Sequence, residues 1–197
     1  MIEKYEKYLD NIGISLNKFF TRQKPYICCK EGCSLCCETG EYPFTKLEFQ
    51  YAMIGYNELN EEEKDIIQKK IEQIKINKQK STEKVFMHEC PFLIDKKCSI
   101  YKYRGLICRN HGLLYYTTDI NGKAIYSIPH CVRDGLNYSN VYDKTAGMIS
   151  SKKWEETGIE TEPVSYNVGL EFLLNNETTQ ALELDFGESK ALIDWCN

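Results

Sequence analysis

Five of the ten cysteines fall within ten consecutive residues, Cys28-Cys29-Lys-Glu-Gly-Cys33-Ser-Leu-Cys36-Cys37. Counted from Cys29 the spacing is C-x3-C-x2-C-C, and a loop of this form turns several sulfurs toward one point. Thiolates held that close repel each other unless a cation lies among them or they oxidise. Whatever fold surrounds this stretch has to supply one or the other.

The compartment decides between the two. The first ten residues alternate charged and apolar side chains, and no stretch of the sequence reads as a signal peptide or a membrane span. The expected location is therefore the cytosol, where thiols stay reduced and clustered cysteines bind metal in preference to forming disulfides. A chain of 197 residues can bury a core without disulfide staples, and a single domain over 1–197 is expected. With 25 basic and 29 acidic residues the net charge is −4, which argues against nucleic acid as the main partner. The Lys-rich run from Lys69 to Lys84 is interleaved with Glu and Ile at helical spacing and reads as a solvated helix face.

Ile2, Tyr5, Leu9, Ile12, Leu16, Phe19 and Phe20 recur at steps of three and four. They predict an amphipathic helix over 2–22, loosened at Gly13 and stopped by Pro25. Gly32 is placed to take a positive φ and fold the cysteine loop back on itself. Thr45 with Glu48, and Asn60 with Glu63, are capping boxes that open two helices. The second helix directs Ile67, Ile71 and Ile74 inward and sets Glu61–Glu63 against its N-terminal dipole. Val85–Tyr101 reads as two short strands around an Asp95–Lys97 turn, followed by a helical turn over Tyr103–Arg109. Leu113–Thr118 and Lys123–Ile128 flank Asn121-Gly122, a strong hairpin signal. Helices are expected at Ser165–Leu174 and Glu188–Trp195, and residues 132–162 receive no assignment. The fold class is α+β, mainly helical with short β-hairpins, organised around a cysteine-bound metal.

Cys90, Cys98, Cys108 and Cys131 follow the box at longer intervals. His88, His111 and His130 each lie within three residues of one of them. Each reads first as a hydrogen-bonded residue beside a site, not a ligand. Cys28 duplicates Cys29, and Cys196 sits beside Trp195 without a ligand-spaced neighbour; both read as spectators.

The run Cys29-x3-Cys33-x2-Cys36-Cys37, Cys90-Pro91-Phe92-Leu93 and Cys98-x-Ile100-Tyr101-x2-Arg104-x3-Cys108-Arg109 resembles the YkgJ-like cysteine-cluster family, described as zinc- or iron-chelating. It is similar also to the cysteine pattern of flagellin lysine-N-methylases, whose cysteines carry an iron–sulfur cluster. Gly105 stands where the family usually has Pro, and the first spacer is three residues instead of two. The resemblance covers about residues 28–131. It implies Cys29, Cys33, Cys36, Cys37, Cys90, Cys98, Cys108 and Cys131 as ligands of a 4Fe-4S cluster or of zinc. A redox or protein-modifying reaction such as lysine methylation, acting on a protein substrate, would follow.

Adjacent Cys36 and Cys37 are expected to point apart, so a four-thiolate site draws partners from the later cysteines and clips residue 37 to residue 90. Arg104 and Arg109 either offset the charge of the thiolate centre as cofactor-binding residues or make surface ion pairs. Only Cys33-x2-Cys36 resembles a zinc knuckle, whereas single scattered cysteines suit an iron–sulfur cluster. Three functions stay open: an iron or iron–sulfur protein supporting a reaction, a zinc-stabilised interaction module without chemistry, and a metal carrier. No phosphate loop or Ser/His/Asp grouping names a substrate.

Overall fold

The computed structural model describes residues 1–196. They gather into two compact units. The first is built from Met1–Ile2, Glu31–Arg109 and the segment beginning at Asp185, the second from Glu3–Lys30 and Asn110–Leu184. Helices with short antiparallel strand pairs make the fold α+β. Among the described residues no helix is long and apolar enough to cross a membrane.

In the first unit both capping boxes form. Thr45 Oγ1 accepts from the Glu48 amide at 3.2 Å while Glu48 Oε2 accepts from the Thr45 amide at 2.9 Å, opening the helix Lys46–Glu58. Asn60 and Glu63 repeat the exchange at 2.9 and 3.3 Å to open Glu61–Lys80. Each cap contributes about 1 kcal/mol. Ile67, Ile71 and Ile74 are buried along the second helix, as their spacing predicts. The acidic first turn and basic last turn both suit its dipole. Lys78 near its end pairs with Asp194 at 2.6 Å, fastening the helix Leu192–Trp195.

The expected helix Glu188–Trp195 begins late. Ser189–Ala191 is instead a strand, paired antiparallel with Pro43–Thr45 in the register Pro43↔Ala191 and Thr45↔Ser189. The backbone groups of Pro43–Thr45 need partners, and this late segment supplies them.

In the second unit the helix Ile2–Arg22 runs unbroken through Gly13 and buries Tyr5, Tyr8, Leu9, Ile12 and Leu16. A 3-10 turn holding Pro25 follows it. The core gathers Tyr26, Leu114, Val132, Tyr138, Val141 and Tyr142, with Tyr26 and Tyr138 stacked 5.4 Å apart. The hairpin around Asn121-Gly122 forms as Tyr115–Thr118 against Ala124–Ser127.

Of the expected helix Ser165–Leu174 only Leu170–Leu174 is helical. Tyr166 is drawn into extended pairing, its amide donating to Leu114 O and its carbonyl accepting from Tyr116 N, both at 3.0 Å. The unassigned stretch contains the short pair Tyr142–Asp143 with Met148–Ile149 and the helix Ser151–Thr157, capped by Ser150 Oγ. The turn of that pair is held by Asp143 Oδ1, which accepts from the amides of Thr145 and Ala146 at 2.8 and 3.1 Å.

Candidate metal centre

Three segments of the first unit carry cysteines toward one another. The box ends in the short helix Leu35–Glu38, started by the Ser34 carbonyl, which accepts from the amides of Cys37 and Glu38 at 2.7 and 3.0 Å. Gly32 takes the positive φ expected of it, 83°. Cys36 and Cys37 do not diverge as adjacent residues were expected to: their sulfurs lie 3.9 Å apart. A tetrahedral ion with metal–sulfur bonds of about 2.3 Å has a sulfur–sulfur edge of about 3.8 Å.

Cys90 arrives on the second segment. Its amide donates to the Cys37 carbonyl at 2.8 Å, and Gly40 and His88 exchange backbone bonds of 2.9 and 3.0 Å beside it. The stretch 37–40 is thus zipped to 88–90. Leu93–Ile94 then pairs with Lys97–Cys98 through a turn whose Asp95 and Lys96 both have positive φ. The expected hairpin is present but shorter than predicted, and Cys98 sits opposite Leu93.

Cys108 belongs to the third segment, on the helix Leu106–Asn110. That helix is held by Glu48, whose Oε1 accepts from the Leu106 amide at 2.7 Å while Oε2 accepts from the Thr45 amide and hydroxyl. One buried carboxylate therefore starts two helices. Burial pushes its pKa up, against the pull of these donors and of the Arg109 charge.

The thiols sense one another. A hydrogen bond from Cys37 lowers the Cys36 pKa, and the same contact raises that of Cys37, so the pair gives up one proton readily and resists losing the second. Burial raises Cys90 and Cys98 and lifts Cys108 to about 12. Neighbouring cysteines add to each shift: Cys108 and Cys98 on Cys90, Cys36 on Cys98, and Cys98 and Cys36 on Cys108.

Arg104 opposes this. Its charge favours the thiolates of Cys36, Cys98 and Cys108, while its guanidinium stacks 3.7 Å from the Tyr101 ring and donates to the Tyr101 carbonyl at 3.0 Å. Arg109 donates to the carbonyls of Arg104 and Lys102 at 3.0 and 2.7 Å, bracing the loop from which Arg104 projects.

Cys28, Cys29 and Cys131 belong to the second unit. There Asn137 binds the start of the cysteine box. Its Oδ1 accepts from the Cys28 amide at 2.7 Å, and its Nδ2 donates to Cys29 Sγ at 3.3 Å and to the Gly112 carbonyl at 3.0 Å. Cys131 is buried. The His111 and His130 rings lie 5.2 Å apart, and His111 Nε2 is buried without a hydrogen-bond partner. Burial, then the neighbouring His130, lowers the His111 pKa to about 4. His88, in the first unit, bonds through Nδ1 to the Glu89 carbonyl at 2.7 Å. Cys196 is buried and donates to the Leu192 carbonyl at 3.4 Å, in keeping with a filler role.

Among the described residues no cysteine is in a disulfide. Among the described residues no three sulfur, imidazole or carboxylate donors already converge as one metal site; the Cys36–Cys37 edge is what stands formed. The chemistry of the donor set fits a thiophilic cation. Four thiols from three segments, Cys37, Cys90, Cys98 and Cys108, are made harder to ionise by their cysteine neighbours, and a cation among them reverses that.

Sequence reasoning found these cysteines by their spacing but missed Asn137 and the second task of Glu48. Both act through partners distant in the chain, 109 residues for Asn137 and Cys28 and 58 for Glu48 and Leu106. Only the Glu48 capping box left a local signal.

No curated protein and no solved structure matches the chain. The sequence model of one family, described as "CxxCxxCC: Putative zinc- or iron-chelating domain", matches residues 28–126. That span is half of the chain and takes in every cysteine of the three converging segments. The chain belongs to the CxxCxxCC family of zinc- or iron-chelating domains.

Proposed function

We propose that the first unit chelates one thiophilic ion, zinc or iron, through four thiolates drawn from Cys36, Cys37, Cys90, Cys98 and Cys108, with Cys33 on the loop before them. The observation that carries this reading is the 3.9 Å separation of the Cys36 and Cys37 sulfurs, which matches the edge of a single tetrahedral ion. In a cubane cluster each iron takes one cysteine, so the ligand sulfurs stand farther apart. The ion's task is structural. It fastens the box to the segments around Cys90 and Cys108 in a reducing compartment such as the cytosol, where free thiols persist.

The test is metal content, measured on Ser variants of each cysteine expressed alike. Loss at four of Cys36, Cys37, Cys90, Cys98 and Cys108, with retention at Cys28 and Cys196, supports the reading. Retention at Cys29 and Cys131 as well confines the site to the first unit. A flat profile overturns it.

A second reading is an iron–sulfur cluster supporting a redox or protein-modifying reaction, such as lysine methylation of a protein substrate. What favours it is the surplus of thiols over the four that one ion takes, together with the Arg104 charge beside three of them. Anaerobically purified protein that is brown and contains sulfide selects this reading. Colourless protein with about one equivalent of zinc selects the first.

A further inference from the structure

Tyr42 is an aromatic residue with φ of 54°, a left-handed backbone that side chains rarely adopt. Its ring folds back over Gly40, where a Cβ would lie 2.6 Å from Tyr42 Cε1 and 3.1 Å from the hydroxyl oxygen; only glycine leaves the ring this place. The side chain is buried, with the His88 ring edge-on at 5.4 Å, and the hydroxyl has no hydrogen-bond partner. A strained backbone and an orphaned buried donor on one residue call for an acceptor. The groups at hand are the cysteines. Gly40 and His88, the two residues the ring packs on, are joined by the backbone bonds that run directly beside the Cys37–Cys90 bond, which places the hydroxyl's surroundings next to those two cysteines.

We propose that the Tyr42 hydroxyl donates a hydrogen bond to a thiolate sulfur of the metal centre, making Tyr42 a positioning residue for that ligand. The inference rests on the metal-centre reading above. A protonated thiol has its own hydrogen and little need of a donor. A metal-bound thiolate keeps lone pairs free to accept one. The bond draws electron density from sulfur, weakens its donation to the metal, and fixes the sulfur's direction. Burial holds the phenol protonated, so the donor is present across the range in which thiolates bind metal.

The experiment uses the full chain loaded with Co2+ as a coloured probe. Wild-type protein that takes up no cobalt means that the metal-centre reading itself has failed, apart from any role of Tyr42. Given a loaded wild type, Tyr42→Phe keeps the ring and removes the donor. The expected result is cobalt content within about twofold of wild type, with the thiolate-to-cobalt charge-transfer band moved to longer wavelength. An unmoved band at equal loading overturns the proposal. Should Tyr42→Phe fail to fold, 3-fluorotyrosine placed at position 42 keeps the shape and strengthens the donor. The band then moves to shorter wavelength if Tyr42 bonds to sulfur, and a superimposable spectrum again overturns the proposal.

Discussion

The amide of Cys90 donates to the carbonyl of Cys37 at 2.8 Å, so two cysteines 53 positions apart share a backbone bond. The helices Lys46–Glu58 and Glu61–Lys80 both lie in the loop that this bond closes. With the paired bonds of Gly40 and His88 it forms a small zipper whose side chains include ligands of the proposed ion.

Removing the metal is expected to open that zipper. Amide exchange at Gly40, His88 and Cys90 should accelerate together, by about tenfold or more, when a strong chelator strips the protein. Residue-resolved hydrogen exchange checks this. If the Cys37–Gly40 amides respond and those of His88–Cys90 do not, the two segments are not held by one ion.

Metal affinity should climb with pH. Burial holds Cys90, Cys98 and Cys108 above the ordinary thiol range, Cys108 at about 12, so these groups enter the site protonated and ligation expels the protons. Each such thiol steepens the dependence by about tenfold in affinity per pH unit. Competition titrations against a chromophoric chelator between about pH 6.5 and 8 measure the slope. A flat profile would show that the ligands are not these thiols.

Acid should weaken the second unit through His111. Its folded pKa of about 4 lies below the unfolded value of 6.5, mainly through burial. A base depressed in this way costs nothing above the unfolded value, and stability drains as pH falls from there toward the folded one. Allowing for partial exposure, the loss is on the order of 2 kcal/mol. Urea unfolding at pH 7 and near pH 4.5 should show His111→Phe losing less than wild type over that interval; equal losses would remove His111 as the cause.

Glu48 should be among the least replaceable polar residues of the first unit. Three donors, the Thr45 amide and hydroxyl and the Leu106 amide, end on its carboxylate at 2.7 to 2.9 Å. Glu48→Ala leaves them buried and unpaired and should cost about 3–5 kcal/mol. Glu48→Gln turns an amide N–H toward a donor and should cost about 1–3 kcal/mol. Both should lower metal content by loosening Cys108. Denaturation midpoints and metal analysis on the two variants are the check, and a neutral Glu48→Ala would contradict the assignment.

What the sequence made legible was local. Thr45 with Glu48 and Asn60 with Glu63 lie within one helical turn, and both boxes formed. The apolar spacing of Ile2–Arg22 and the Asn121-Gly122 turn stand in the same class. Illegible were the pairings that join distant stretches. Nothing near Ser189 announces a strand, because its partner Pro43–Thr45 lies far earlier in the chain. Nothing near Tyr166 announces its pairing with Leu114 and Tyr116. At the site, cysteine spacing singled out the candidate cysteines, while the side-by-side sulfurs of Cys36 and Cys37 depend on the backbone of a one-turn helix that spacing does not determine.

The pairing of Pro43–Thr45 with Ser189–Ala191 also sets a timetable. On the ribosome every cysteine of the converging group has been made once Cys108 is added, yet the strand that completes their unit is still about eighty residues from being synthesised. At typical rates of about 5–20 residues per second that interval lasts roughly 4–16 s. Throughout it the thiols belong to an unfinished fold, open to oxidants and to stray metals. An ion captured early would hold the nascent segments in place until the last strand arrives, and a cell short of that ion would find the fault first in newly made chains.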